Sequence, residues 1–439
     1  LQWKDFGAFF RFRAFYDFAY IDDNSHDSPG TNNAFRAGKI SDPQKWSTRT
    51  KDRHGRENEI LDAFAYCQFN LGAHEAELRV GSMVASWGES LFVFNSVSTA
   101  MAPLDARFAT VPGAELRDLF LPTQQVFGSI GITDTLTLAG YYQWEWAKTR
   151  LPEAGFFLPL NNAFADAIDD SGYTLITPGF LINRTKDTDP EDDGQYGFAL
   201  RWICDALNAS EFGFYYINYH EKLPKLNFDL MPMLLGIGFP TYNLSYQEDV
   251  KLYGFSVGTE LWDINWGLEM TYRTDMPAAV IHSGLAAAGV PNPLNVVWDT
   301  ADVFQAQLSF SAFFNQIMFA DRWTILGEVG YNTVNPDGSF PLNNDKDAWG
   351  GTVKVTPLFE GVLPYLDVEF PITVKLNPSG VSSVQATFTE NEDSISIGAD
   401  FTYRALYQVG LVYTNFLGDP EDNRLTDRDF VAINFKYAF

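Results

Sequence analysis

From Phe6 to Tyr20 every even position is apolar or aromatic: Phe6, Ala8, Phe10, Phe12, Ala14, Tyr16, Phe18 and Tyr20. The odd positions include Arg11, Arg13 and Asp17. A period of two is the mark of a β-strand, whose successive side chains point to opposite faces. In a soluble sandwich the apolar row faces a core, and the outer row is seldom this aromatic. A strand with lipid on one side and a polar lumen on the other needs an aromatic row beside an ionised one. The alternation therefore predicts the wall of a transmembrane barrel.

The same pattern returns along the chain. In Gln195–Cys204 the apolar row is Tyr196, Phe198, Leu200 and Trp202, with Arg201 opposite. Trp266–Thr274 sets Leu268, Met270 and Tyr272 against Glu269 and Arg273. Asp302–Asn315, Trp323–Tyr331 (with Glu328 inward) and Ser394–Arg404 (with Asp400 and Arg404 inward) read alike. The last segment, Phe430–Phe439, carries Val431, Ile433, Phe435, Tyr437 and Phe439 on one face. It resembles the assembly signal of bacterial outer-membrane proteins.

Between these segments, short turns alternate with long connections. Short turns are expected near Gly72–Glu75, Thr133–Thr135, Asp205–Asn208, Trp262–Asn265, Asn315–Ala320, Glu360–Leu363 and Ala405–Gln408. Long segments such as Asp22–Glu59, Glu89–Pro122, Lys148–Gly194, Leu223–Asp249 and Met276–Thr300 lie between them. Short periplasmic turns and long extracellular loops are the asymmetry of outer-membrane barrels. The expectation is an all-β fold: one antiparallel up-and-down barrel over residues 1–439 in the bacterial outer membrane. About 16 strands are expected, within a range of about 14 to 18.

Composition excludes the main alternatives. The mean hydropathy is -0.14, and no stretch approaches the roughly 18 apolar residues of a membrane helix. The net charge is -26, the wrong sign for nucleic acid. Acidic loops at a cell surface suit divalent cations held beside lipopolysaccharide. The acidic turns Asp189–Asp193 and Asp419–Asn423 leave open either calcium, through oxygen ligands, or plain solvated turns. No cofactor is expected. The chain opens at Leu1 without a signal segment and is read as a processed or truncated form. Cys67 and Cys204 fall on separate strands and read as isolated thiols. Five histidines (His26, His54, His74, His220 and His282) stand in no nucleophile motif, so catalysis is not expected.

Several segments carry chemistry beyond the wall. Phe156–Leu160, Phe228–Tyr242 and Ala278–Trp298 are apolar although placed outside. Exposed apolar patches mark binding surfaces. Phe156, Phe157, Leu234, Leu235 and Phe239 are therefore candidate substrate contacts, with a loop mini-core closing the barrel mouth and lipid-anchoring loops as the other readings. Residues 88–122 form a second candidate, an inward-folded or capping loop long enough to imply a role. Its charges Glu89, Asp105, Arg107, Glu115, Arg117 and Asp118 can pair with lumen groups such as Arg11, Arg13 and Arg79. Glu145, Arg201, Glu269, Arg273, Glu328 and Arg404 complete an expected inner ladder of charges, serving as an ion-paired plug or as a selective constriction.

Residues 7–11, 13–18, 53–56 and 61–64, the stretch Gly81–Ser90 (GSMVASWGES), Pro103–Asp105, Val111–Asp118 and Gln143–Trp146 together resemble a proteobacterial outer-membrane family known as a domain of unknown function. The resemblance is dense over residues 7–146. It implies transport of hydrophobic compounds or lipids, with a periplasmic lipoprotein and an envelope exporter as partners. The leading expectation is a channel for small hydrophobic or amphipathic molecules. A lipid export duct and a general porin for small polar solutes are the alternatives.

Overall fold

The computed structural model describes residues 2–3, 5–25, 27, 35–36, 39–40, 42–108, 119–153, 155–158, 173–177, 180–236, 238, 240–292 and 294–438. Eighteen segments make up its large sheet. One is the two-residue Gln2–Trp3, and two are halves of a single strand interrupted at Phe370–Pro371, which leaves sixteen wall strands. In chain order they are β1 (Phe6–Tyr16), β2 (Arg56–Leu71), β3 (His74–Met83), β4 (Thr123–Thr133), β5 (Leu136–Gln143), β6 (Gln195–Cys204), β7 (Ser210–Tyr219) and β8 (Val250–Leu261). The second half comprises β9 (Ile264–Ile281), β10 (Val296–Asn315), β11 (Arg322–Pro336), β12 (Asp347–Leu363), β13 (Leu366–Glu369 and Ile372–Ser379), β14 (Asp393–Tyr403), β15 (Tyr407–Leu417) and β16 (Phe430–Tyr437).

Each wall strand pairs antiparallel with its sequence neighbours, and registers are mostly unbroken. The β8–β9 ladder, for example, runs from Lys251↔Thr274 to Leu261↔Ile264. Its turn is Trp262–Asp263, with φ of 58° and 60°. Two successive positive φ values match the twist of a two-residue hairpin. Among the described residues no ladder joins β16 to β1. At the outer end residues 155–158 lie across that seam. The Phe157 N–H donates to Tyr20 Oη at 3.1 Å, and Arg428 Nη1 donates to the Phe157 carbonyl at 3.0 Å.

The sheet is wrapped around its own second outer loop. Side chains from β1, β2, β5, β9, β10 and β11 all bond to residues 89–107. The buried core lies inside this cylinder, where Trp87, Val97 and Met101 of the loop pack with Tyr141, Tyr215, Ile217 and Tyr219. The outward row is the exposed one: Phe10, Phe198, Tyr253, Leu308, Val329, Ile397 and Ile433 all face away from the lumen. An apolar, aromatic exterior on an antiparallel barrel is what hydrocarbon demands, since such a wall satisfies its backbone polar groups internally. No helix among the described residues is long and apolar enough to cross a membrane, and strands do the crossing. The protein is a barrel of the bacterial outer membrane.

Three boundaries differ from the sequence reading. β1 stops at Tyr16, and Phe18–Ile21 is a helical turn that Asp17 caps by accepting from the Ala19 N–H. The expected turn at Glu360–Leu363 lies within β12; the chain reverses at residues 364–365, after a bulge that includes Gly361 at φ 60°. The expected loop Met276–Thr300 is largely strand, because β9 and β10 stay paired through Ile281↔Val296. Its apolar residues divide between the barrel core, which takes Met276 and Ala278, and the outer cap, where Leu294 is buried with Leu285 and Val290 packed against it. Cys67 and Cys204 are both free and half-buried.

Outside the mouth, residues 173–177, 180–184, 225–229 and 241–245 form a four-stranded sheet. Ile182, Leu226, Leu230, Tyr242, Leu244 and Leu294 make a second small core there.

Candidate functional site

The inner row of each strand carries the polar groups, and the inward loop gives them work. At its outer end lies a knot of charge. Arg13 reaches Glu59 at 2.6 Å and Asp105 at 2.7 Å. Arg107 reaches Asp105 at 2.7 Å and Glu57 at 2.8 Å, and Arg150 reaches Glu59 at 2.8 Å. The Phe108 ring lies 4.2 Å from the Arg13 guanidinium carbon. Burial alone would raise the Asp105 carboxyl, but Arg107, then Arg13 and Arg150, outweigh it and hold it below the usual carboxylate range. Glu57, Glu59 and Asp105 are near enough to share a metal ion. Arg13, Arg107 and Arg150 already supply the matching positive charge, so the knot reads as structural.

Deeper in, two wall glutamates hold the loop by its backbone. Glu269 of β9 accepts from the N–H groups of Glu89 (2.9 Å) and Val97 (2.8 Å) and from Gln307 Nε2 (2.9 Å). Glu328 of β11 accepts from the N–H groups of Leu91 (3.1 Å), Phe92 and Val93 (2.7 Å) and from Ser90 Oγ (3.0 Å). Arg273 donates to the Asn95 and Ser96 carbonyls, and Gln305 to that of Phe94. Gly88 enters this clamp at φ 94°, where any Cβ would run into Glu269. A buried carboxylate is tolerated where several donors surround it. Here the donors are the loop's own amides.

Three cavities meet at the loop's tip. An outer vestibule of about 730 Å³ is lined by the loops above β7, β9, β11, β13 and β15. A chamber of about 330 Å³ lies beside it, walled by Leu104, Leu151, Phe156, Leu158, Leu223 and Leu425, with Glu221, Lys222 and Lys375 among its polar groups. An inner space of about 500 Å³ runs under the loop to Leu326 and Lys354. Phe94 lines all three. Lys222 donates to the carbonyls of Ala100 (2.8 Å) and His220 (3.3 Å), and burial pushes its ammonium down to about 8.

The residues singled out from sequence fall in different places. Phe156 lines the chamber and stacks on His54 at 4.5 Å. Burial, then Arg107, pushes the His54 ring down to about 3, so it is neutral and accepts the Glu153 N–H at Nε2. Phe157 instead faces Phe430 and Arg428 at the seam. Leu234 and Leu235 are exposed on the outer cap, away from the chamber. Arg13, Glu89, Glu269, Arg273 and Glu328 are brought together around the loop. Arg11 pairs with Asp62, Arg79 with Glu77 and Arg201 with Glu211, all within the wall. Glu145 accepts from the Gln124 N–H at the end of β4. Arg404 lies at the opposite end, over Tyr365 and Tyr403. Phe239, Glu115 and Arg117 lie outside the described residues.

Phe94, Lys222, Lys375, Glu57 and Arg150 were not foreseen. The one available signal was Lys375 itself, a cation between Thr373 and Asn377 in the polar row of its strand.

A family model described as "Protein of unknown function (DUF1302)" matches residues 1–439. No curated protein matches the chain. Among solved structures, the chain is similar to the outer membrane channel DcaP of Acinetobacter baumannii, at 10% identity, covering 99% of this chain and 97% of that one, with a TM-score of 0.36. It is similar to OccAB1 of the same organism, at 9% identity, 93% and 80% coverage, and a TM-score of 0.39. It is also similar to the anion-selective porin from Comamonas acidovorans, at 10% identity, 88% and 90% coverage, and a TM-score of 0.34. At these identities and TM-scores the likenesses say nothing of what passes through this chain.

Proposed function

This chain belongs to the DUF1302 family, and we propose that it is an outer-membrane channel for small hydrophobic or amphipathic molecules. The observation that carries this reading is the run of three cavities joined at Phe94, with an apolar chamber at its middle. A general porin keeps a wide aqueous lumen; here the lumen is filled by a loop tied to the wall on many sides. Ligand pockets combine mostly apolar walls with a few placed polar groups, and the chamber fits that description.

In this mechanism the vestibule collects the molecule from outside, the chamber holds its apolar part out of water, and Phe94 stands between chamber and inner space. Small ions find little room past the loop, so ohmic conductance is low. The test is single-channel recording in planar bilayers with decanol added on the outer side. We expect a small unitary conductance that decanol reduces further, and a higher basal conductance in Phe94→Ala. A large, steady conductance indifferent to decanol overturns the reading and favours a porin for polar solutes.

A further inference from the structure

The chain has 56 acidic residues against 30 lysines and arginines, so a cation without a partner is the exception that asks for a reason. Lys375 is one. It stands in the inward row of β13, between Thr373 and Asn377, and lines both the vestibule and the chamber. Among the described residues no hydrogen bond or ion pair engages it, although carboxylates surround the mouth. Glu421 and Asp422 line the vestibule with it, yet neither forms an ion pair with it among the described residues, and three others are engaged elsewhere. Glu392 pairs with Arg424 at 3.6 Å. Glu390 accepts from the Gly380 N–H, and Asp393 from the Asn377 N–H. Inside the chamber, Glu221 accepts from the N–H groups of Lys222 and Leu223.

Lys222 lines the same chamber. It is buried, and two of its three ammonium hydrogens go to the Ala100 and His220 carbonyls. The third has no hydrogen-bond acceptor among the described residues. The remaining side of this ammonium faces the Tyr219 ring, 5.0 Å away, and Lys375 presents a second ammonium, exposed, on the wall; two cations beside an apolar lining favour a ligand with an anionic head. The remaining lining is aliphatic and aromatic, which an ion in water has no use for and an alkyl chain does.

We propose that the chamber binds an anionic amphiphile, its carboxylate at Lys375 and Lys222 and its alkyl chain among Leu104, Leu151, Phe156 and Leu425. This rests on the reading of the protein as a channel for amphipathic molecules and narrows it to one head-group charge. A chamber of about 330 Å³ is at the small end of ligand sites, which suits a medium-length chain rather than a two-chain lipid. Lys375, open to the vestibule as well, meets the head group first. Lys222 holds it once the chain is inside.

The experiment is equilibrium binding of radiolabelled decanoate, decanol and decyltrimethylammonium to the full chain in lipid nanodiscs, with empty nanodiscs subtracted. Decanoate should bind more tightly than decanol, and decyltrimethylammonium least. Lys375→Gln should weaken decanoate by roughly tenfold, the loss of one charge-assisted contact, and leave decanol unchanged. Lys375→Arg should keep decanoate binding. Lys375 has no partner to lose, so these variants test the ligand and not the fold. If decanoate and decanol bind equally and Lys375→Gln moves neither, the head-group assignment is wrong while the hydrophobic route stands. If Lys375→Gln weakens both alike, the lysine does not read the head group and the proposal falls. If none of the three binds, the channel reading falls with it.

Discussion

Asp105 shows how much one side chain can organise here. It has no solvent exposure, and guanidinium groups of Arg13 and Arg107 both lie 2.7 Å away. Removing its charge would leave those cations facing one another in a buried site. Breaking a buried pair by deleting one partner costs about 3–5 kcal/mol, so Asp105→Asn should lower urea-unfolding stability in lipid vesicles by about that much. The effect has a pH signature. Its partners hold the folded carboxyl below the usual carboxylate range, so the stabilisation is complete above about pH 4 and is lost as pH falls through the lower folded value. The stability difference between wild type and Asp105→Asn should therefore shrink only in strong acid; a difference that is constant down to pH 2 counts against this account. The sequence marked Arg13 and Asp105 as candidates for such a pair. It did not mark Glu57, Glu59 or Arg150, since their meeting depends on where residues 102–107 re-enter the lumen, and local pattern carries no information on that path.

At the scale of elements, strands and loop differed in legibility for a physical reason. A wall strand is defined by its own alternation, a local property, and Gln195–Cys204 could be read residue for residue. The inward loop is defined by its partners. The charge pattern pointed to side-chain ion pairs between loop and wall, and Arg13–Asp105 is one, yet the loop is also held by its backbone N–H groups, which meet Glu269 and Glu328. Every residue has an N–H, so no residue type announces such a contact. The clamp makes a clear prediction. Glu328→Gln keeps the shape but replaces a charged acceptor of several donors with a neutral amide. Hydrogen bonds to charged groups are worth about 1.5–3 kcal/mol each, and part of that hold is lost. Single-channel records of Glu328→Gln should show frequent excursions to a higher conductance level, with no change in the amount of folded barrel. Records that match wild type would mean that the loop is fixed by its apolar packing around Val97 and Met101 and needs no clamp.

For the whole molecule, the order of solvents is inverted relative to a soluble protein, and every scale below inherits that. The greasy row faces out, so the packed interior holds buried polar side chains beside its apolar core, and these have to be satisfied by hydrogen bonds rather than by burial alone. The loop supplies many of those bonds from its own N–H and carbonyl groups. Strand number followed from counting alternating segments. The outer cap did not, because its sheet joins residues 180–184 to 241–245 in parallel across the mouth, and long-range parallel pairing leaves no trace in spacing. The inversion can be tested at one position. Leu308 sits in the middle of β10, outward, opposite Leu268 and Val329 on the neighbouring strands, and is 41% exposed. In a soluble protein an arginine at such a surface position is nearly neutral. At the midplane of a bilayer it costs about 2–4 kcal/mol, falling to about 0–1 near the interfaces. Leu308→Arg should therefore destabilise the barrel by the larger amount in reversible unfolding from lipid vesicles, and Met318→Arg, at an exposed turn between β10 and β11, by the smaller. Equal costs at the two positions would place Leu308 in water and remove the membrane from the outside of this wall.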